Sequence, residues 1–130
     1  MRLQIVTPER TVYSKEEVKM VITHAAEGDI GILPNHAPFI SPLEPTIVRV
    51  KLDENREEKI FVSGGFLEVR SNQVTILAEA AELPSEIDIE RAQAAKERAE
   101  KRLKQKENID AVRAEMALKR ALNRLKVKEI

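Results

Sequence analysis

The chain has no cysteine and no tryptophan, and only 3% of its 130 residues are aromatic. Without cysteine there is no disulfide framework and no thiol chemistry, an absence that fits a reducing cytoplasm. So few aromatics leave little for base stacking, which weakens nucleic-acid readings. No apolar run approaches the ~20 residues that span a bilayer. Met1–Arg10 does not read as a secretory signal, so a membrane connection is expected to run through a partner. The most informative absence is local. All six prolines and all four glycines lie at or before Pro84, and no helix breaker follows.

Charge divides at the same point. Residues 1–84 hold 9 Lys/Arg against 13 Asp/Glu, net −4, and residues 85–130 hold 13 against 9, net +4. A formal total of zero thus conceals two bodies of opposite sign. Two modules are expected: a turn-rich one over 1–84 and a helical one over 85–130.

The first module reads as short strands. Leu3 and Ile5 alternate with polar neighbours before Thr7-Pro8; Val12 and Tyr13 follow; Val18, Met20 and Ile22 recur at spacing two. Further strands are expected over 46–52, 60–63, 66–69 and 74–78, with turns at Glu27-Gly28-Asp29, Asp53-Glu54-Asn55 and Ser71-Asn72. Such spacing suggests an antiparallel sandwich or barrel. The run from Ile32 to Pro38 cannot be a central strand, because proline removes ladder donors; it should be an edge or a crossing loop.

The second module reads as an antiparallel hairpin of two helices. Ser85 and Asp88 compete for the first N-cap, and Ser85-x-x-Asp88 has capping-box spacing. Helix one is expected to run to about Lys106, with Ala92, Ala95, Ala99 and Leu103 on one face. Glu107-Asn108 is the expected turn, with Asn108 or Asp110 capping the second helix. That helix carries Ala114, Ala117, Leu118, Ala121, Leu122 and Leu125. Glu97 with Lys101, Glu100 with Lys104 and Glu115 with Lys119 have i,i+4 spacing in the favourable order. A buried alanine contributes on the order of 0.8 kcal/mol against ~1.5–3 for leucine, so this seam closes on a thin margin. A ligand selective for the closed form, at ~1,000 times its dissociation constant, would favour closure by about 4 kcal/mol.

Arg91, Arg98 and Arg102 are spaced seven then four, and so are Arg113, Arg120 and Arg124. Each trio forms a stripe beside an alanine face. Two such stripes can converge on one anion, with guanidinium forks suited to phosphate oxygens. The plain alternative is a solvated basic face. Other candidates read blandly. His24 and His36 lack metal-ligand spacing. Gly64-Gly65 lacks the Lys-Ser/Thr of a phosphate loop and suits a bulge or hairpin. Glu16-Glu17 and Glu57-Glu58 sit in polar runs, and no nucleophile–base constellation stands out.

Two segments carry a resemblance. Gly28-Asp29-Ile30-Gly31-Ile32-Leu33-Pro34-Asn35-His36-Ala37-Pro38 and Ser63-Gly64-Gly65-Phe66-Leu67-Glu68-Val69 resemble the epsilon-subunit family of bacterial F-type ATP synthases, in the family's order and spacing. The resemblance implies a ten-stranded sandwich followed by the hairpin, in a non-catalytic central-stalk rotor subunit with no required cofactor and no metal site. Its implied partners are the gamma subunit, the membrane c-ring and the alpha/beta catalytic head. Its implied place is the cytoplasmic face of the bacterial cell membrane, peripheral and bound only through the complex. Asp29, Gly31 and His36 match positions at the foot that meets gamma and the ring. The hairpin is implied to permit turnover when folded on the sandwich and to hinder ATP hydrolysis when extended. Arg113, Lys119, Arg120 and Arg124 then face acidic parts of the head, which suits the module's net +4.

Some members bind ATP as a regulatory ligand through an Ile/Leu-Asp-x-x-Arg-Ala motif, which stands here as Ile87-Asp88-Ile89-Glu90-Arg91-Ala92. The resemblance carries Glu82, Ile87, Asp88, Arg91, Ala92, Arg98, Arg120 and Arg124 to that site. Glu82 and Asp88 are implied near the adenine amino group, and the arginines around the phosphates. Two rivals remain from the residues alone. One is a stand-alone ATP-binding sensor; the other is a nucleic-acid-binding hairpin, against which the acidic first module and scarce aromatics argue.

Overall fold

The computed structural model describes residues 1–25, 28–104 and 111–128. Ten strands precede two helices: β1 (Arg2–Val6), β2 (Thr11–Lys15), β3 (Met20–Ala25), β4 (Gly28–Ile32), β5 (Phe39–Leu43), β6 (Thr46–Lys51), β7 (Glu57–Val62), β8 (Gly65–Arg70), β9 (Gln73–Ala78), β10 (Ala81–Glu82), α1 (Ile89–Lys104) and α2 (Ala111–Lys128). They form two five-stranded sheets, ordered β2-β1-β9-β8-β5 and β10-β7-β6-β3-β4. The fold is α+β, a sandwich followed by a helical hairpin. All the strand pairings are antiparallel except β1 with β9, which run parallel.

Alternation builds the core. In β6, Thr46, Val48 and Val50 point inward while Ile47, Arg49 and Lys51 do not; Leu3, Ile5, Val21, Ile60, Leu67, Val74 and Ile76 are fully buried. Tyr13 lies against this core, and its hydroxyl donates to Glu58 Oε1 at 3.0 Å. Burial and that carboxylate push its ionisation up, so the hydroxyl remains a donor.

The sheets exchange strands through corners. β5 passes to β6 through Glu44-Pro45, β7 to β8 through Ser63-Gly64, and β9 to β10 through Glu79-Ala80. The last two corners are stitched together: Ser63 N donates to Ala80 O, Ala80 N to Ser63 Oγ, both at 2.9 Å, and Glu79 N to Gly64 O at 3.2 Å. Gly64 and Gly65 have φ of +125° and +146°, a backbone region that side chains strain. The pair is therefore a sheet-switching corner, which refines the expected bulge.

Several local expectations shift. Gly28 and Asp29 do not form a turn but pair with Ala25 and His24 in the β3–β4 ladder; Glu27 lies outside the described residues. Glu57 and Glu58 are exposed as their polar run suggests, but they lie at the start of β7. Ile32 ends edge strand β4, and the following residues to Pro38 form the expected loop. Asp88, not Ser85, caps α1: its Oδ1 accepts from Arg91 N at 3.1 Å. Ser85 sits in a 3-10 turn over Pro84–Glu86, where Glu86 reaches back to accept from Leu83 N at 2.9 Å. The expected turn at Glu107-Asn108 and the caps Asn108 and Asp110 lie outside the described residues, as does helix one beyond Lys104.

α1 and α2 meet along alanine. Ala92, Ala99, Ala114 and Ala121 are buried between them. The hairpin also folds back on the second sheet, where Val127 of α2 joins Phe61, Ile87 and Ile47 in a small apolar cluster. Within the helices, the ion pair among the described residues is Lys96–Glu100 at 3.8 Å, so the three expected i,i+4 pairs do not form. Lys119 leaves Glu115 for Glu44 of the sandwich.

Candidate functional site

A cavity of about 410 Å³ opens between the two helices and the last strand of the sandwich. Its floor is alanine: Ala92, Ala95 and Ala99 of α1 with Ala114 and Ala117 of α2. Methyl-sized side chains let the helix backbones approach, and they leave room where longer ones would fill the space. Its walls are charged. Arg91, Arg98 and Arg102 enter from α1, Arg120 and Arg124 from α2, against Glu82, Glu86 and Asp88. Five guanidiniums against three carboxylates leave a net +2.

Each carboxylate is already occupied. Glu82 accepts Arg124 Nε with both oxygens at 3.2 Å, and Arg124 Nη2 lies 3.1 Å from Oε1. Glu86 binds Arg10 at 2.6 Å across the β1–β2 turn and accepts from Leu83 N; that N–H foremost, with Arg10 adding, holds its carboxyl below the usual range. Asp88 caps α1. Arg91, Arg98, Arg102 and Arg120 have no ion pair within 4 Å among the described residues. Four guanidiniums that lack carboxylate partners among the described residues thus line one cavity of ligand-pocket size, an arrangement whose chemistry suits an anion.

Of the residues expected at an ATP site, Glu82, Asp88, Arg91, Ala92, Arg98, Arg120 and Arg124 line this cavity. Ile87 does not. It is buried with Phe61 and Val127, so its part is to dock the linker. Glu82 and Asp88 hold Arg124 and the helix cap, so they shape the site before any ligand arrives. Arg102 and Glu86 were absent from the expected set. Arg102 was legible as the third member of its stripe; Glu86 carried no local signal.

Three of the four cations expected to meet the catalytic head are engaged by the sandwich or line the cavity in this folded arrangement. Lys119 pairs with Glu44, Arg120 lines the cavity, and Arg124 lies 4.4 Å over the Phe61 ring while bound to Glu82. Arg113 on the first turn of α2 lies outside the cavity lining.

Asp29, Gly31 and His36 do not cluster. Asp29 accepts from or pairs with His24 Nδ1 at 2.8 Å beside a groove that α2 also lines. Gly31 faces Met20, whose Cε would lie 2.7 Å from an added Cβ. His36 lies beyond the far end of β4, its Nδ1 2.7 Å from Ala37 O and its ring edge-on to Phe39. What they share is one edge strand and the loop after it.

The outer face of the first sheet holds a feature the sequence reading passed over. Val6 opposes Leu77, Leu77 opposes Phe66, and Phe66 opposes Pro42, an apolar row crossing four strands. Phe66 is 57% and Leu77 54% exposed, and Ile40 nearby is 70% exposed. No helix of the described residues is long and apolar enough to cross a membrane.

Comparisons with known proteins agree with one another. Residues 1–84 match the ATP synthase, Delta/Epsilon chain, beta-sandwich domain, and residues 85–129 match the long alpha-helix domain of the same chain. An ATP synthase epsilon chain of Brevibacillus brevis is 57% identical over 106 residues, 82% of this chain and 80% of the relative. One of Alkalihalophilus pseudofirmus is 57% identical over 103 residues, covering 79% and 76%. A chain in the Euglena gracilis mitochondrial ATP synthase, solved as OSCP/F1/c-ring, superposes with a TM-score of 0.79 at 25% identity, covering 95% of this chain and 78% of that one. A chain from the Tetrahymena thermophila mitochondrial ATP synthase central stalk and c-ring shares the fold, with a TM-score of 0.62 at 14% identity over 98% and 92%. With a sandwich, an alanine-seamed hairpin and curated relatives above half identity over four-fifths of its length, this chain belongs to the epsilon-chain family of bacterial F-type ATP synthases.

Proposed function

We propose that the chain is a non-catalytic rotor subunit that joins the central stalk to the c-ring and restrains ATP hydrolysis through its hairpin, with ATP as the ligand that holds the hairpin folded. The observation that carries the regulatory part is the cavity between α1 and α2, lined by four arginines that have no carboxylate partner within 4 Å among the described residues. A tri- or tetra-anion there offsets their mutual repulsion and ties both helices together, so binding and closure are one event. The adenine end has Glu82 and the Asp88-capped helix start at the cavity's edge. In the extended state Arg113, Lys119, Arg120 and Arg124 become available to acidic parts of the alpha/beta head, and the helices sterically oppose rotation.

A calorimetric titration of the full chain with millimolar ATP tests this reading. Heat of binding and a raised melting temperature are the expected result; silence in both channels rejects ATP as the ligand. The stand-alone sensor reading predicts the same heat but no capture of gamma or ring subunits.

For the stalk, Asp29, Gly31 and His36 lie along an edge strand and its following loop, so a partner gripping that edge meets all three. The apolar row of Val6, Leu77, Phe66 and Pro42 is the companion face we assign to gamma, since contiguous exposed apolar surface marks interfaces. Phe66→Glu with Leu77→Glu should leave the sandwich folded, because both side chains are already half in water. Capture of gamma should fall at least about tenfold, as for a lost interface anchor. Undiminished capture would assign gamma elsewhere. As part of that complex, the chain is assigned in this reading to the cytoplasmic face of the bacterial membrane, as a peripheral subunit.

A further inference from the structure

α2 has two working faces. Ala114, Ala117 and Arg120 look into the arginine-lined cavity, while Lys119, Asn123 and Val127 meet the sandwich. The second face is bound to one corner. Lys119 Nζ donates to the Glu44 carboxylate, and Asn123 Nδ2 donates to Pro45 O at 3.1 Å while also reaching Lys119 O at 2.8 Å. Glu44-Pro45 is where β5 crosses to become β6, and its Pro45 is buried. The corner is thus rigid, and α2 meets it with adjacent turns of one stripe. None of these three side chains borders the arginine-lined cavity.

We infer that the Glu44-Pro45 corner is a nucleotide-independent catch for α2, in which Glu44 engages within the chain the Lys119 ammonium that an extended hairpin presents to the catalytic head. This rests on the detachable hairpin proposed above. The apolar part of the docking seam is small, Val127 with Phe61, Ile87 and Ile47, so a single ion pair can move the balance between docked and detached forms. Both partners are half in water, with side-chain exposure of 49% for Lys119 and 41% for Glu44. The pair is therefore screened by salt, whereas the deeper Arg124–Glu82 pair, at 25% and 29%, is screened less. In the same groove His24 is matched to Asp29, and Arg49 to Glu57; of the two α2 lysines that line it, Lys119 and Lys126, it is Lys119 that contacts Glu44. The folded population without nucleotide then depends on ionic strength, a control separate from ATP.

The absence of native cysteine makes the test direct. Ser71→Cys in the sandwich and Val112→Cys at the start of α2 carry a distance-reporting dye pair on the full chain, read without nucleotide in a urea series that populates both forms. Glu44→Gln should lower the docked-to-detached ratio about two- to fivefold at low salt. That difference should vanish near about 1 M salt, where screening reaches ~3 Å. Asn123→Ala should lower the ratio by a similar factor regardless of salt. The exchange of Glu44→Lys with Lys119→Glu should restore the parent ratio. An unchanged ratio in Glu44→Gln, or an exchange that fails to restore it, overturns the catch. Adding ATP to the unsubstituted labelled chain is a separate arm: no shift there rejects the nucleotide reading and leaves the catch to be judged on its own result.

Discussion

Arg98→Ala combined with Arg120→Ala is expected to weaken ATP binding at least about 100-fold while leaving the nucleotide-free chain as stable as before. A hydrogen bond to a charged group contributes ~1.5–3 kcal/mol, or about 10- to 150-fold per arginine, and two arginines on one anion will not add in full. Stability is spared because neither side chain has an ion-pair partner within 4 Å among the described residues, and both face like charges across the cavity. Arg124→Ala should behave differently. It removes the two-oxygen contact with Glu82 and the stacking on Phe61, so the nucleotide-free hairpin loosens as well as losing affinity. The two helices also separate by readout. Arg98 belongs only to the nucleotide face, so Arg98→Ala in the assembled enzyme should deepen inhibition at a given ATP level. Arg120 lines the cavity and is also one of the cations assigned to the catalytic head in the extended state, so Arg120→Ala should weaken ATP binding and inhibition together. Calorimetry and hydrolysis assays on the four variants measure these effects. Affinity within twofold of the parent for the Arg98/Arg120 pair would return the stripes to a solvated basic face.

The stripes were legible in the sequence because helical spacing is local: seven and four residues fix one face whatever the helix packs against. Strand alternation was legible for the same reason, and β1, β6, β8 and β9 fall where Leu3, Val48, Leu67 and Ile76 put them. In β3 the spacing points to the wrong face, Met20 and Ile22: Val21 and Thr23 are the buried residues, because Val18 precedes the strand and does not share its alternation. β5 went unread because Ser41 and Pro42 interrupt its pattern; proline is tolerated there since β5 is the edge of its sheet. β4 was masked by its two glycines, and β10 is only two residues long. The parallel pairing of β1 with β9 joins Leu3 to Val74, and no local pattern encodes a partner seventy residues away. The contact between Lys119 and Glu44 was hidden in the same way. Spacing pointed to Glu115, but the sandwich supplies a carboxylate that also secures the hairpin, and the tertiary contact prevails. Thus local periodicity announced the elements and the arginine walls, while everything joining hairpin to sandwich had to come from the folded chain.

The largest structural effect is expected at Gly65, and Gly28 supplies its control. Both have strongly positive φ, +146° and +128°, so an alanine at either position adopts a strained backbone costing on the order of 1–3 kcal/mol. Around Gly28 an added Cβ meets nothing within 4 Å, so strain is the whole cost. At Gly65 that Cβ would fall 2.0 Å from Leu77 O and 3.0 Å from Ala78 Cα, both backbone atoms of the paired strand β9. Neither can turn aside as a side chain can. Relief requires β8 to part from β9 at the corner where Ser63 and Ala80 stitch the two sheets. Gly65→Ala should therefore cost roughly 4 kcal/mol or more, near the upper limit for one substitution, and lower Tm by more than about 10 °C. Gly28→Ala should lower it by less than half as much. Thermal unfolding of the two variants, followed by circular dichroism, makes the comparison. Equal losses would mean that backbone strain alone explains the paired glycines and that the close approach of β9 contributes nothing. A much larger loss at Gly65 makes the corner a steric requirement of the fold, and through β10 and Glu82 it also sets where Arg124, and so α2, can dock.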